Sequence, residues 1–443
     1  MFFVSFRVFR GLKTMSVAAN QKRVFLQLRS RLLPLDRRFP ERLKDALSDR
    51  RFGGRDRRLY RELAFTAARL RRVWPEHDDD FIALVATACA ATPDTAAFRA
   101  AFARGPGFFR QSCQSRQSPA IPDAAPRRLP EHGQGCPCHL TDGKSVPREL
   151  FPAWALEPGR PAASPATAAA LLSRASLWLR LQTATPAGVA AVEAELAGRG
   201  WPVERFEALP TAWRLPPDAA VTSTESYRDG RVEVQDLGSQ FLIETVAPAP
   251  GGRWLDACAG AGGKTLQLAQ LLGPQGRVEA HDIRAAALAE LRRRAQRGGF
   301  ANIRTLATLP PAESEATEGG GYDGVLVDAP CSGTGTWRRA PHLMHCTTPE
   351  DITRAARRQR ELLDRHAPRV RPGGLLVYAT CSLCDEENSR VAAGFLEAHG
   401  DVFEVRPPVR TFGFAPDACG GLTILPERYD TDGFYVVAFH RRG

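Results

Sequence analysis

Two cysteines, Cys331 and Cys381, stand in settings that favour chemistry over packing. Gly324-Val325-Leu326-Val327 leads through Asp328-Ala329-Pro330 to the first, and Leu375-Leu376-Val377-Tyr378-Ala379 leads through Thr380 to the second. Both runs have strand character, and in an open α/β sheet the carboxyl ends of the strands line the ligand crevice. Two thiols delivered there, one with Asp328 three residues before it, point to covalent attack by one sulfur and a supporting task for the other. The competing explanation, that both are small core residues, fits the frequent burial of free cysteine. It does not account for their place at strand ends, where function concentrates.

A second chemical feature is the small-residue loop Asp256-Ala257-Cys258-Ala259-Gly260-Ala261-Gly262-Gly263-Lys264, which joins an expected strand to an expected helix. Glycines there let a ligand approach the backbone closely. A phosphate-binding P-loop would require Gly at Cys258, and a dinucleotide fingerprint would require Gly or Ala at Thr265, so both spacings fail. A nucleoside with a charged amino-acid tail remains, namely S-adenosylmethionine, whose aminocarboxylate can lie against the loop and the helix N-terminus. Asp282, closing the next strand, stands where an acidic group hydrogen-bonds ribose hydroxyls, although Asp is also a favoured helix N-cap. Lys264 is one of five lysines beside 55 arginines and is expected to pair with the cofactor carboxylate or with Asp328. The candidate cofactor set is therefore Asp256 to Lys264, Asp282 and Asp328.

The elements that must position these residues follow Pro248-Ala249-Pro250-Gly251-Gly252. From there the pattern predicts strands over 253–257, 277–281, 303–306, 324–327 and 375–379, others near Phe403 and over 434–439, and helices over 264–272, 285–297, 349–370 and 386–399. Alternation of this kind means an α/β fold, a doubly wound and mainly parallel sheet, in residues 247–443. Residues 148–246 read as a small α+β adaptor, with helices over 167–174 and 187–199 and strands over 177–182, around Trp213 and over 232–234. Residues 17–110 read as an all-α domain, joined by a Ser-, Pro-, Gln- and Gly-rich linker over 111–147. Cys136-Pro137-Cys138-His139 in that linker has no second ligand pair at zinc-like spacing, so no metal is expected.

The chain of 443 residues is 43% hydrophobic and 25% charged, an ordinary globular composition. Its net charge of +11 is concentrated: residues 1–75 hold 20 Lys or Arg against 6 Asp or Glu, and the remainder 40 against 43. A basic domain on a near-neutral one suggests that the first grips a polyanion by its phosphates while the second acts on it. Ten cysteines without a secretory signal indicate a reducing compartment, with the cytoplasm the leading expectation. An organellar transit peptide, or a start at Met15, would also explain the acid-free first thirty residues. No apolar run reaches the length of a membrane span.

Carbon 5 of a pyrimidine is a poor nucleophile, and a thiolate adding to carbon 6 converts it into an enolate-like attacker. After methyl transfer the carbon-5 proton must leave and the thiolate must be expelled, which needs a base or a second thiol. Asp328, Cys331 and Cys381 supply one candidate for each task, the carboxyl group stabilising the adduct near the ring nitrogen.

With these residues in place the chain resembles RNA cytosine-5 methyltransferases of the Sun/Fmu type. The resemblance rests on Asp256 to Thr265, Asp328-Ala329-Pro330-Cys331-Ser332-Gly333-Thr334-Gly335, Arg338-Arg339, Tyr378-Ala379-Thr380-Cys381-Ser382, Glu386-Glu387-Asn388-Ser389 and Asp432-Gly433-Phe434-Tyr435. It implies a Rossmann-like fold, S-adenosylmethionine as cofactor, Cys381 as nucleophile, Cys331 assisting release, and Asp328 on the cytosine edge. The N-terminal part resembles the NusB-type helical domain of the bacterial ribosomal-RNA members, best over residues 55–70, which implies ribosomal RNA as partner. No protein partner is indicated. A DNA cytosine methyltransferase would use the Pro-Cys thiol as nucleophile, and Thr380-Cys381-Ser382 argues against it. A non-catalytic ribosome-assembly factor would not need two thiols beside Asp328.

Overall fold

The computed structural model describes residues 16–104, 108, 148–310 and 320–443. The expected linker, the Cys136 to His139 group and Met15 lie outside the described residues. The described residues divide into two compact units, one up to Leu150 and one from Phe151 onward.

In the first unit, α1 (Val17–Leu32), α2 (Phe39–Leu47), α3 (Gly54–Arg69), α4 (Asp78–Ala88) and α5 (Ala96–Phe102) enclose one apolar core. Ser16 caps α1 by accepting from the Ala19 amide, and Phe25, Leu28 and Leu32 form its buried face at helical spacing. Three aspartates open α4, where the helix dipole favours them. Each also meets a cation: Arg29 reaches Asp78 at 2.6 Å, Arg104 reaches Asp80 at 2.9 Å, and Lys22 pairs with Asp79. Part of the basic excess is thus neutralised internally, while Arg31, Arg37, Lys44 and Arg50 are exposed.

The second unit holds two sheets. β1 (Leu177–Leu181), β2 (Glu204–Arg205), β3 (Ala212–Leu215) and β4 (Val232–Val234) pair antiparallel in the order β2-β3-β1-β4. α6 (Pro165–Leu172) precedes β1, and α7 (Pro186–Gly198) buries Val192 and Leu196 against this sheet. The larger sheet contains β5 (Arg253–Asp256), β6 (Arg277–His281), β7 (Ile303–Leu306), β8 (Tyr322–Asp328), β9 (Val370–Thr380), β10 (Phe403–Arg406), β11 (Leu422–Ile424) and β12 (Phe434–Arg441). Its order is β10-β12-β9-β8-β5-β6-β7, with β11 paired to β12. The five strands from β9 to β7 run parallel, and β10, β11 and β12 form antiparallel pairs at one side. The chain moves from β5 outward through β6 and β7 and then returns to β8 on the other side of β5. That reversal creates the switch-point crevice outside the carboxyl ends of β5 and β8.

Helices α9 (Gly263–Leu272), α10 (Ala285–Arg297), α11 (Pro349–His366) and α12 (Ser389–His399) join these strands. The expected helix over 349–370 ends at His366, because Pro368 cannot donate an amide hydrogen and disfavours helical geometry before it. The expected helix over 386–399 begins at Ser389, since Asp385–Glu387 form a 3-10 turn and Asn388 is non-helical. α8 (Leu237–Val246), which falls inside the expected adaptor, packs Phe241 and Leu242 into a core shared with β12 and β11. The adaptor boundary at 246 therefore falls at the end of a helix that belongs to the packing of the large sheet.

Candidate active site

The loop after β5 is shaped by glycine where backbone geometry requires it. Gly260 has φ +55° and Gly262 has φ +92°, and a Cβ at Gly262 would strike the Leu291 side chain of α10. Amide hydrogen bonds from Ala257 to Leu326 O and from Ala259 to His281 O tie the loop to β8 and β6. Over Gly263 a Cβ would meet nothing within 4 Å, which leaves open space at the start of α9. Asp256 is 1% exposed and accepts from Thr265 Oγ1 at 2.7 Å; burial pushes its carboxyl up to about 7 against that hydrogen bond. Burial, with Asp256 and Asp328 nearby, pushes Cys258 up to about 12, so this third thiol stays neutral.

Asp282 is not a helix cap: the N-cap of α10 is Arg284. Its carboxylate accepts from the Gly260 amide at 2.8 Å and from the Arg284 amide and guanidinium. Burial raises its pKa, but these hydrogen bonds more than offset that and hold it below the usual carboxylate value. Asp282 thereby braces the glycine loop against the end of β6. The loop's open face, its two left-handed glycines and this acidic brace fit a ligand lying against the backbone with hydroxyls toward Asp282.

Beyond β8 and β9 the two thiols converge. Cys331 Sγ lies 3.2 Å from Cys381 Sγ. Lys264, at the start of α9, reaches Asp328 Oδ2 at 2.7 Å. Thus Asp328 at the end of β8, Cys331 and Cys381 just beyond β8 and β9, and Lys264 in the first turn of α9 come to one place. The Cys331 hydrogen bond lowers the pKa of Cys381, assisted by the charges of Lys264 and Arg339 against burial and Asp328. Cys331 is raised well above an ordinary thiol by that same hydrogen bond, by burial, and by the negative charges of Cys381 and Glu387. The pair is therefore unequal, with ionisation favoured at Cys381 over Cys331.

Further interactions hold this arrangement. Gly335 donates to Cys381 O at 3.0 Å and approaches the Gly433 backbone so closely that a Cβ would lie 2.1 Å from Gly433 O. Arg338, 1% exposed, donates to Thr431 O and Arg174 O and pairs with Asp430. Arg339 pairs with the buried Asp432, which burial pushes up to about 7 despite that cation. Among the described residues no cluster of His, Cys, Asp or Glu is arranged to hold a metal, and no helix is long and apolar enough to cross a membrane.

A family model described as 16S rRNA methyltransferase RsmB/F matches residues 243–440. Residues 243–440 are thus similar to the RsmB/F family. The RsmB/F match begins within α8 and ends within β12, so it takes in the large sheet and every candidate residue named above. Ribosomal RNA small subunit methyltransferase B of Enterobacter sp. (strain 638) is 36% identical over 232 residues, 52% of each chain. The protein of that name from Xanthomonas campestris pv. campestris is 35% identical over 267 residues, 59% of each. The chain thus spans between half and six-tenths of these relatives. Among solved structures, PH0851 superimposes with a TM-score of 0.70 at 21% identity, covering 96% of this chain and 100% of that one. A methyltransferase homolog from Pyrococcus horikoshii gives 0.52 at 28% identity, covering 62% and 88%.

Two features that organise this domain are not foreseeable from the sequence alone. Glu387 and Asn388 grip the residues beside both thiols, although only their motif, not their task, is visible in the chain. Asp236 accepts from the Asp432 amide and from Thr431, connecting the segment before α8 to the start of β12. The signal for the first is a wholly polar run soon after the second cysteine; Asp236 sits in a stretch, Val232 to Gln240, that resembles the family segment before the cofactor loop, but it lies nearly two hundred residues from its partners and no local pattern announces that pairing.

Proposed function

We propose that this chain transfers a methyl group from S-adenosylmethionine to carbon 5 of a cytosine in RNA, with ribosomal RNA as the substrate. The observation that carries the reading is the 3.2 Å approach of two unequal thiols beside Asp328 and Lys264. Bound S-adenosylmethionine would supply an electrophilic methyl group, held by the Asp256 to Lys264 loop and Asp282. Cys381, as thiolate, adds to carbon 6 of the flipped-out base. Asp328 hydrogen-bonds the cytosine edge, and Lys264 keeps that carboxylate oriented. Once carbon 5 is methylated and its proton has passed to a base, the bond from carbon 6 to sulfur breaks. Cys331, donating to the departing sulfur, stabilises it as thiolate.

The exposed cations of the helical unit would hold the RNA backbone, which positions a substrate without selecting its bases. The names of the matched relatives support ribosomal RNA as the substrate class. The test is incubation with methyl-labelled cofactor and RNA or DNA of matched sequence. Label in 5-methylcytosine of RNA alone is expected, and label in DNA alone would overturn the reading.

A further inference from the structure

Glu387 is a fully buried carboxylate, and no ion-pair partner is found for it among the described residues. Burying such a group is costly unless hydrogen bonds satisfy it. Oε1 accepts from the Ser332 amide at 2.8 Å and from Gln359 Nε2 at 3.1 Å, while Oε2 accepts from Ser382 Oγ at 2.6 Å and from the Ser332 hydroxyl. Ser332 follows Cys331, and Ser382 follows Cys381. Gln359 also donates to Pro330 O, on the other side of Cys331. Asn388 completes the pattern at the second thiol, accepting from Thr380 Oγ1 at 2.6 Å and donating to Ser382 O at 3.0 Å.

We propose that Glu387 is the positioning residue of the two-thiol centre, setting the distance between Cys331 and Cys381 by holding the residue after each on one carboxylate. β8 and β9 are hydrogen-bonded neighbours and the loops after them meet through the Gly335 amide on Cys381 O and the Ser332 and Thr334 hydroxyls beside Ser382 Oγ, but nothing in a parallel ladder fixes a contact between two side chains beyond its end. A carboxylate with four donors, three of them from serines adjacent to the thiols, does fix it. Its negative charge acts on Cys331 and helps hold that thiol above its ordinary pKa. Glutamine would turn a donor toward one pair of donors, and aspartate would draw the oxygens back by one methylene. Neither can reproduce the clamp.

The proposal rests on the two-thiol reading above, so its test includes a readout that needs no RNA. The full chain is alkylated with iodoacetamide from neutral to alkaline pH, and each cysteine is followed by peptide mass spectrometry. In the wild type Cys381 should react at lower pH than Cys331. Glu387→Gln should raise the reactivity of Cys331 relative to Cys381 by about tenfold at neutral pH, as expected when a neighbouring negative charge is lost. Multiple-turnover methylation should fall at least as far, with cofactor affinity unchanged. Glu387→Asp keeps the charge and should lose turnover through geometry alone. Should Glu387→Gln fail to fold, Ser332→Ala and Ser382→Ala each remove one hydroxyl donor and should change the reactivity ratio and turnover. A folded Glu387→Gln, or both serine variants, with the wild-type ratio and turnover would overturn the proposal. Wild-type protein that never methylates would instead overturn the function proposed above, and the alkylation ratio would still decide the role of Glu387.

Discussion

Lys264 donates to Asp328 at 2.7 Å, and its positive charge also favours the ionised form of Cys381. One cation thus orients the carboxylate assigned to the base and favours the thiolate assigned to attack. Lys264→Met should raise the pKa of Cys381, because the charge that stabilises the ionised form is gone. The proposed mechanism requires the thiolate, so the rate at neutral pH should drop and the rising limb of the pH profile should move to higher pH. Single-turnover rates across pH check this, and an unmoved limb would remove Lys264 from thiolate stabilisation.

Asp282→Ala should weaken S-adenosylmethionine binding by roughly 1–3 kcal/mol, the cost of an unsatisfied buried hydrogen-bonding group. The loss would come both from the proposed hydrogen bond to the ribose and from the unbraced Gly260 amide. Methyl transfer at saturating cofactor should largely recover. Calorimetric titration with the cofactor gives the affinity directly.

Asp256 provides a stability prediction. Its folded pKa of about 7 stands above the ordinary 3.8, so between those values the folded chain retains a proton that the unfolded chain has released. Stability must therefore fall as pH rises through this window, by at most about 1.4 kcal/mol per pH unit for one such group. Asp256→Asn should flatten that fall in thermal melts. Asp432, also near 7, should keep some slope in the variant.

Gly335→Ala should lower stability by about 1–3 kcal/mol and impair methylation, since the added Cβ must push against the Gly433 backbone. The Gly335 amide that donates to Cys381 O would move with it. Thermal melting and turnover measured on one preparation would separate the two effects.

Neutralising Arg31, Arg37, Lys44 and Arg50 together should weaken RNA binding and make its salt dependence shallower, by about 0.7–0.9 in slope for each phosphate that no longer meets a cation. All four are exposed, whereas Lys22, Arg29 and Arg104 are occupied by the aspartates that open α4. Binding isotherms at several salt concentrations provide the slope. An unchanged slope would mean that these cations only face solvent.

Strand ends and the glycine loop are legible in the chain because their signals are local. Apolar runs at 324–327 and 375–379 mark β8 and β9, and small residues from Ala257 to Gly263 mark a close backbone approach. The structure extends β9 back to Val370 through Gly373, whose φ of +76° accompanies a register shift against β8. Sequence could not place that irregularity, since Pro372-Gly373-Gly374 reads as a turn. Nor could it show that Asp282 braces Gly260 instead of capping a helix, or that Glu387 serves Ser332, fifty-five residues away. Those hydrogen bonds are set by the tertiary fold, and no periodicity encodes them.

The two thiols give the most direct test. RNA incubated with cofactor and each variant is run on a denaturing gel to detect a covalent protein–RNA complex. Cys331→Ala should attack and methylate but release slowly, so it should accumulate the complex; Cys381→Ala and the double variant should form none. A complex trapped by Cys381→Ala instead would contradict the assignment of the nucleophile, and its absence from every variant of an active enzyme would contradict covalent catalysis.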